Sequence, residues 1–307
     1  MNKLVSMKEA IGESLSDGDT LVIEGFTHLI CFAAAHEIIR QQKKDLTLAR
    51  LTPDLVYDQI IEAGLCKKLI FSWAGNPGVG SLHALRRRTE AKYLEAAGSK
   101  KLDLEEYSHY GMVSRLLAGS SGLPFWPLKS FMGTHIPKEN LSIREIICPF
   151  TGEKMAAVPA LNPDLCILHV QRADKRGNAQ VWGLLGTQKE TAFASKRVIV
   201  VAEEIVSEEE IRRDPNRTIV PEFKVAHVVH EPWGCHPSYA QGFYDRDNDF
   251  YINWDNISRD AKTYADFLNE FVHESKNHSE YMKKMGQGLM DKLKAKDQYC
   301  KGVNYGY

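Results

Sequence analysis

Long apolar runs are missing from this chain. Nowhere do about 18 apolar residues stand together, so no segment reads as a helix long enough to span a bilayer. A surplus of one charge is missing too: 39 Lys and Arg against 40 Asp and Glu leave a formal net charge of −1. That balance removes the electrostatic ground for expecting nucleic acid or an anionic membrane as a partner. The densest basic run, Arg86-Arg87-Arg88, falls in a helical pattern and reads as a solvated face. Paired cysteines are also absent. The 6 cysteines are scattered with no Cys-x-x-Cys, which suits reduced thiols better than a disulfide framework. Met1–Ala10 has no apolar core of a secretion signal and reads as the approach to a helix, so the expected location is the cytoplasm. Neither Gly-x-Ser-x-Gly nor a Gly-Lys-Ser/Thr phosphate loop occurs, and the glycine spacing differs from the dinucleotide fingerprint.

What is present is an alternation of strand-like and helix-like segments. Thr20–Ile23, Leu46–Leu51, Leu69–Trp73 and the weaker Leu102–Tyr107 are short β-rich runs. Between them, Cys31–Gln42, Asp54–Ala63 and Ser81–Ala97 carry apolar residues at helical spacing, with Asp54 placed to cap its helix and Gly64 and Gly98 as natural stops. The stretch Leu123–Pro159 has little helical period and reads as loops and short strands. Leu165–Val170 and Val198–Ala202 then read as central strands, Gly177–Gly183 as a short alternating segment, Gly186–Ser195 as a helix, and Ser207 as the cap of an acidic-start helix ended by Pro215. One or two amphipathic helices are expected at about 258–296. This order implies an α/β fold, a mostly parallel open sheet with helices on both faces and a helical tail at the carboxyl end. With 307 residues there is room for one large domain or two small ones, and the absence of a linker favours one compact unit.

Two loops at strand ends could carry chemistry. In Glu24-Gly25-Phe26-Thr27-His28, the glycine lets backbone amides approach a ligand, Phe26 can wall a pocket, and Thr27 and His28 add a hydroxyl and an imidazole. In Asn76-Pro77-Gly78-Val79-Gly80-Ser81, glycines follow the third strand and Ser81 stands where a helix would begin, a place suited to an anionic group. In both, the plain alternative is a structural turn. A third cluster, His227, His230, Cys235 and His236, invites a metal reading, but residues 227 and 230 on a strand face opposite sides. No metal is expected.

Several blocks taken together resemble the α subunits of family I coenzyme A transferases, and the nearest pattern is that of the A-type subunit of glutaconate CoA-transferase. Asp17–Thr27 resembles the amino-terminal signature, and Asn76-Pro-Gly-Val-Gly resembles the Asn-Ser-Gly-Val loop. Gly122-Leu-Pro-Phe, Pro149-Phe-x-x-Gly-Glu-Lys, Glu203-Glu-Ile-x-Ser-x-Glu-Glu-Ile-Arg-Arg-Asp-Pro and Gly242-Phe-Tyr-Asp continue the match. The resemblance implies a CoA-transferase α-subunit domain over 1–257, with 258–307 as a helical extension packed on it. It implies a partner, the homologous β subunit, in a heterodimer or higher assembly, and acyl-CoA and a carboxylic acid as substrates. Coenzyme A is then a substrate, and no tightly bound cofactor is expected. In this family the nucleophile is a glutamate of the β subunit, which forms an anhydride and then a glutamyl-CoA thioester. No Ser-Glu-x-Gly of the β type occurs here. By resemblance, Gly25 and Phe26 form the oxyanion loop, and Thr27, His28, Asn76, Gly78, Gly80 and Ser81 bind substrate. The signature has a glycine where this chain has Glu24. That side chain either pairs at the sheet edge, enters the pocket to select substrates with a cationic or hydroxyl group, or acts as a catalytic carboxylate. The alternatives to transfer are a ring-opening CoA-thioester hydrolase on the same scaffold, where Tyr110 stands at the position of a needed glutamate, and a non-catalytic acyl-CoA-binding protein.

Overall fold

The computed structural model describes residues 2–76, 80–97 and 101–295. The amino-terminal half runs α1 (Met7–Ser14), β1 (Thr20–Glu24), α2 (Phe32–Arg40), β2 (Leu46–Ala49), α3 (Leu55–Glu62), β3 (Cys66–Phe71), α4 (His83–Arg87), α5 (Ala91–Ala97), β4 (Asp103–Glu106) and α6 (His109–Ser120). Then come β5 (Phe125–Leu128), α7 (Ile136–Glu139), β6 (Arg144–Ile147), β7 (Lys154–Pro159), β8 (Leu165–Ala173), β9 (Ala179–Gln180), α8 (Gln188–Ala194), β10 (Arg197–Ile205) and α9 (Glu208–Arg213). The chain continues through β11 (Thr218–Val220), β12 (His227–His230), α10 (Asn248–Ser258), α11 (Ala261–Phe267), a π turn at Leu268–His273, α12 (His278–Met285) and α13 (Gln287–Leu293).

Seven of these strands pair in parallel in the order β12-β10-β8-β1-β2-β3-β4. The short β9 and β11 continue the sheet antiparallel beyond the end of β8. From β1 the chain proceeds outward through β2, β3 and β4, whereas β8, β10 and β12 proceed outward the other way. The order therefore reverses between β1 and β8, and such a reversal opens a crevice at the carboxyl ends of the two strands. Glu24, the last residue of β1, stands in register with Leu168 of β8 at that point.

Strand β1 is buried on both faces, as a parallel strand covered by helices must be. Leu21 and Ile23 pack with Phe32, Ile38, Tyr57 and Ile60 of α2 and α3, while Val22 packs with Met112 and Leu116 of α6 on the other side. A capping box at Ser6 and Glu9 starts α1, and Asp54 accepts the Val56 N–H at the start of α3.

Two expectations need correction. The helix read from Ser81 begins at His83, breaks after Arg87 and resumes at Ala91, and Leu82 rather than Ser81 sits at its cap with no side-chain bond. The region from Leu123, read as loops and short strands, does hold short strands, which pair as a separate antiparallel sheet, β5-β7-β6. The helical tail begins at Asn248, ten residues before the expected start, and runs through four helices. Asp247 caps the first of these helices by accepting the Phe250 N–H, and Phe250, Tyr251 and Trp254 bury against the core. The expected stop at Gly98 lies outside the described residues.

Candidate active site

Because the seven strands are parallel, the loops after β1, β2 and β3 emerge at one edge. Hydrogen bonds join them in sequence. Arg50, fully buried after β2, donates to the Gly25 carbonyl oxygen and pairs with Asp54 at 3.2 Å. Ser72 Oγ donates to the Leu51 carbonyl at 2.6 Å, and the Gly75 N–H donates to the Pro53 carbonyl at 3.1 Å.

The loop after β1 is tightly determined. A Cβ at Gly25 would lie 2.7 Å from the carbonyl oxygens of both His28 and Leu29, so the turn closes only over glycine. Thr27 and Leu29 hold left-handed φ values of 55° and 57°, a conformation that costs L-residues of order 1–3 kcal/mol. Surrounding bonds offset that strain. Ser238 Oγ donates to the Thr27 carbonyl at 3.0 Å, and the Leu29 N–H donates to the Tyr239 carbonyl at 2.9 Å. His28 is fully buried. Its Nδ1–H donates to the Leu184 carbonyl at 3.1 Å, and Nε2 accepts from the Gln241 N–H at 3.0 Å. Burial pushes its pKa down to about 4, so the ring is neutral at pH 7. With both nitrogens engaged by backbone, His28 is a peg fastening this loop to segments 184 and 241. Phe26 and Thr27 remain half-exposed at the crevice.

Glu24 is buried beside them, 3% exposed. Its Oε1 accepts the Thr187 N–H at 3.2 Å, tying β1 to the start of α8. Burial raises its pKa above the usual carboxylate range, against the attraction of Arg50. Gly186 lies directly over it: a Cβ there would stand 2.9 Å from Glu24 Oε1 and 2.9 Å from the Phe26 Cβ. The loop Gly183–Gly186 is thus pressed against the Glu24–His28 loop.

The residues after β3 stand apart from this set, across the width of β2. Asn76 is buried; its N–H donates to the Gly80 carbonyl at 3.1 Å, and its Nδ2 donates to the Tyr251 carbonyl on α10 at 2.9 Å. Gly80 and Ser81 line a cleft of about 600 Å³ between α4 and α10. Its His83 and Arg259 both meet Asp255, while Arg86 meets Glu90 and Arg87 meets Glu62. Gly78 lies outside the described residues.

The histidine cluster disperses. His230 Nε2–H donates to the Glu203 carbonyl at 3.2 Å, and His236 is set between Asp247 at 3.1 Å and the Tyr281 hydroxyl at 2.9 Å. Of the described residues, His169, Glu203 and Cys235 do bring ligand atoms within 4.8 Å of one another. Glu203 already accepts from His169 Nε2–H at 2.7 Å, the Tyr244 hydroxyl at 2.5 Å and the Trp233 N–H at 2.8 Å. Burial also raises the Cys235 thiol well above its ordinary value, which disfavours the thiolate a metal needs.

Sequence reasoning overlooked Arg50, Gly186 and Gln188 as parts of this region. Arg50 had a signal, a lone charge within the apolar run from Leu46 to Leu51. So had Gly183 and Gly186, a glycine pair directly ahead of a helix.

A parallel sheet with its order reversed at a glycine turn, and a second glycine loop beside that turn, places a ligand crevice at the carboxyl ends of β1 and β8. Residues 4–231 match the Coenzyme A transferase family, and the chain belongs to it. Within that family it groups with the α, or A-type, subunits. It is 49% identical to the A-type subunit of 3-oxoadipate CoA-transferase from Pseudomonas knackmussii, over 94% of this chain and 100% of that protein. It is 34% identical to the A-type subunit of glutaconate CoA-transferase from Acidaminococcus fermentans, over 96% and 95% of the two. The fold superposes on the crystal structure of glutaconate coenzyme A-transferase from that organism with a TM-score of 0.89 at 33% identity, covering 96% of each chain.

Proposed function

We propose that this chain is the α half of a two-chain CoA transferase, which moves coenzyme A from an acyl-CoA to a free dicarboxylic acid. The attacking glutamate belongs to a homologous β subunit, and the reaction passes through an anhydride to a glutamyl-CoA thioester on that partner. Coenzyme A enters as substrate, and no cofactor stays bound. The observation that carries the reading is the turn at Gly25, which closes only over glycine because a Cβ would meet two carbonyl oxygens, and which directly follows β1 at the crevice between β1 and β8. Backbone amides fixed at such a point stabilise an oxyanion without reorganising. Gly25 and Phe26 form that loop. Thr27, Asn76, Gly80 and Ser81 extend the acid-binding wall along the same sheet edge, His28 supports it from beneath, and Gly78 is assigned to acid binding by the family pattern alone. The dicarboxylic class follows from the relatives, whose names specify 3-oxoadipate and glutaconate.

The test combines this chain with its β partner, an acyl-CoA and 3-oxoadipate. Expected are CoA exchange that depends on both chains and a thioester on the partner trapped by hydroxylamine or borohydride and located by mass spectrometry. Exchange by this chain alone would refute the need for a partner, and CoA-thioester cleavage that proceeds without any acceptor acid would replace transfer with hydrolysis.

A further inference from the structure

Two buried polar atoms of neighbouring side chains beside the crevice have no hydrogen-bond partner. Glu24 Oε2 is one and Gln188 Nε2 is the other. Their side chains are 3% and 2% exposed. Each spends an oxygen on the loop above: Glu24 Oε1 accepts the Thr187 N–H at 3.2 Å, and Gln188 Oε1 accepts the Gly186 N–H at 2.6 Å. Both oxygens lie within reach of one point, the Cβ position of Gly186, at 2.9 and 3.6 Å, and Phe26 adjoins the same point at 2.9 Å. Gly186 itself is exposed. An unpaired donor and an unpaired carboxyl oxygen thus belong to two side chains that both reach exposed Gly186, although buried polar groups are almost always bonded.

We propose that Glu24 and Gln188 form a polar subsite that receives the oxo oxygen of a 3-oxo acid, so that both residues set specificity for substrates carrying that group. The inference rests on the transferase reading above. The chemistry matches an uncharged oxygen acceptor. Gln188 Nε2 offers N–H hydrogens and no charge. Burial shifts Glu24 toward its uncharged acid, and in that form its free oxygen can offer an O–H. Arg50, the cation that acts on Glu24, already pairs with Asp54 and holds the Gly25 carbonyl, so its charge is balanced within the protein.

The experiment compares kcat/KM for 3-oxoadipate and for adipate, its analogue without the oxo group, using the reconstituted two-chain enzyme. Gln188→Met and Glu24→Met are each expected to lower the preference for 3-oxoadipate about tenfold, the worth of one hydrogen bond. Glu24→Gln keeps the shape and a donor, so it should hold the preference within about threefold of the parent. A purely structural role would depress both acids together and leave the ratio unmoved, which overturns the proposal. So does a Glu24→Gln enzyme, folded by its thermal melt, that loses the preference as fully as Glu24→Met. Absence of exchange with either acid in the parent pair would instead remove the transferase reading, and this subsite with it.

Discussion

The loop after β1 and the loop after β3 both carry glycines at one edge of one sheet, yet they are held in different ways. The first is fixed from beneath by buried groups: Arg50 on the Gly25 carbonyl, His28 between two backbone segments, Glu24 on Thr187. The second leans on α10 through the buried Asn76 and opens into a polar cleft whose cations are already paired with carboxylates. Similar residue types at similar topological positions therefore serve different purposes. Buried anchoring makes the first loop rigid, as its proposed oxyanion role requires, whereas the second is built as a rim.

The contrast breaks most visibly at Arg50. Arg50→Met leaves Asp54 buried without its cation and releases Gly25, so a loss of about 3–5 kcal/mol in unfolding free energy is expected from denaturant titration. A stability change under about 1 kcal/mol would show that the anchoring is not what holds the first loop. Acid is the next lever. The folded state keeps His28 neutral down to about pH 4, while the unfolded chain takes up a proton near 6.5, so stability falls as pH drops through that window. The difference between the parent and His28→Gln should shrink by about 3 kcal/mol between pH 7 and pH 4. Working with that difference removes the opposite trend from Asp58 and Glu231. Burial raises both to about 7, so they weaken the fold as pH rises toward that value. A pH-independent difference would mean that the ring is not held neutral.

Glycine substitution sharpens the comparison further. Gly25→Ala forces a methyl group against two carbonyl oxygens, with an expected loss of about 1–3 kcal/mol and a fall in kcat of about a hundredfold. At the rim, Ser81→Ala should change stability by no more than about 0.5 kcal/mol, since Ser81 caps no helix. Equal effects at the two sites, read by thermal melts and steady-state kinetics, would erase the distinction.

Much of the scaffold was legible before any coordinates. Apolar periodicity located β1, β2, β8 and β10, and short-range capping chemistry located the starts at Asp54 and Ser207, because a cap bonds two or three positions away. The family pattern pointed to the loop at Gly25. What escaped was everything that depends on distant partners. Glu24 meets Thr187 across 163 positions, and Asn76 meets Tyr251 across 175. The start of α10 escaped as well, since the burial of Trp254, not its neighbours in the chain, makes that segment helical.

The amino-acid order by itself determined the alternation of strands and helices, the parallel sheet it entails and the glycine at the turn, all set by local backbone preference and by which faces must leave water. Only the folded chain decided which polar groups are buried together. Whether Glu24 faces solvent, a neighbour or a ligand depends on where β8 and α8 come to lie, and nothing within a few residues of position 24 encodes that.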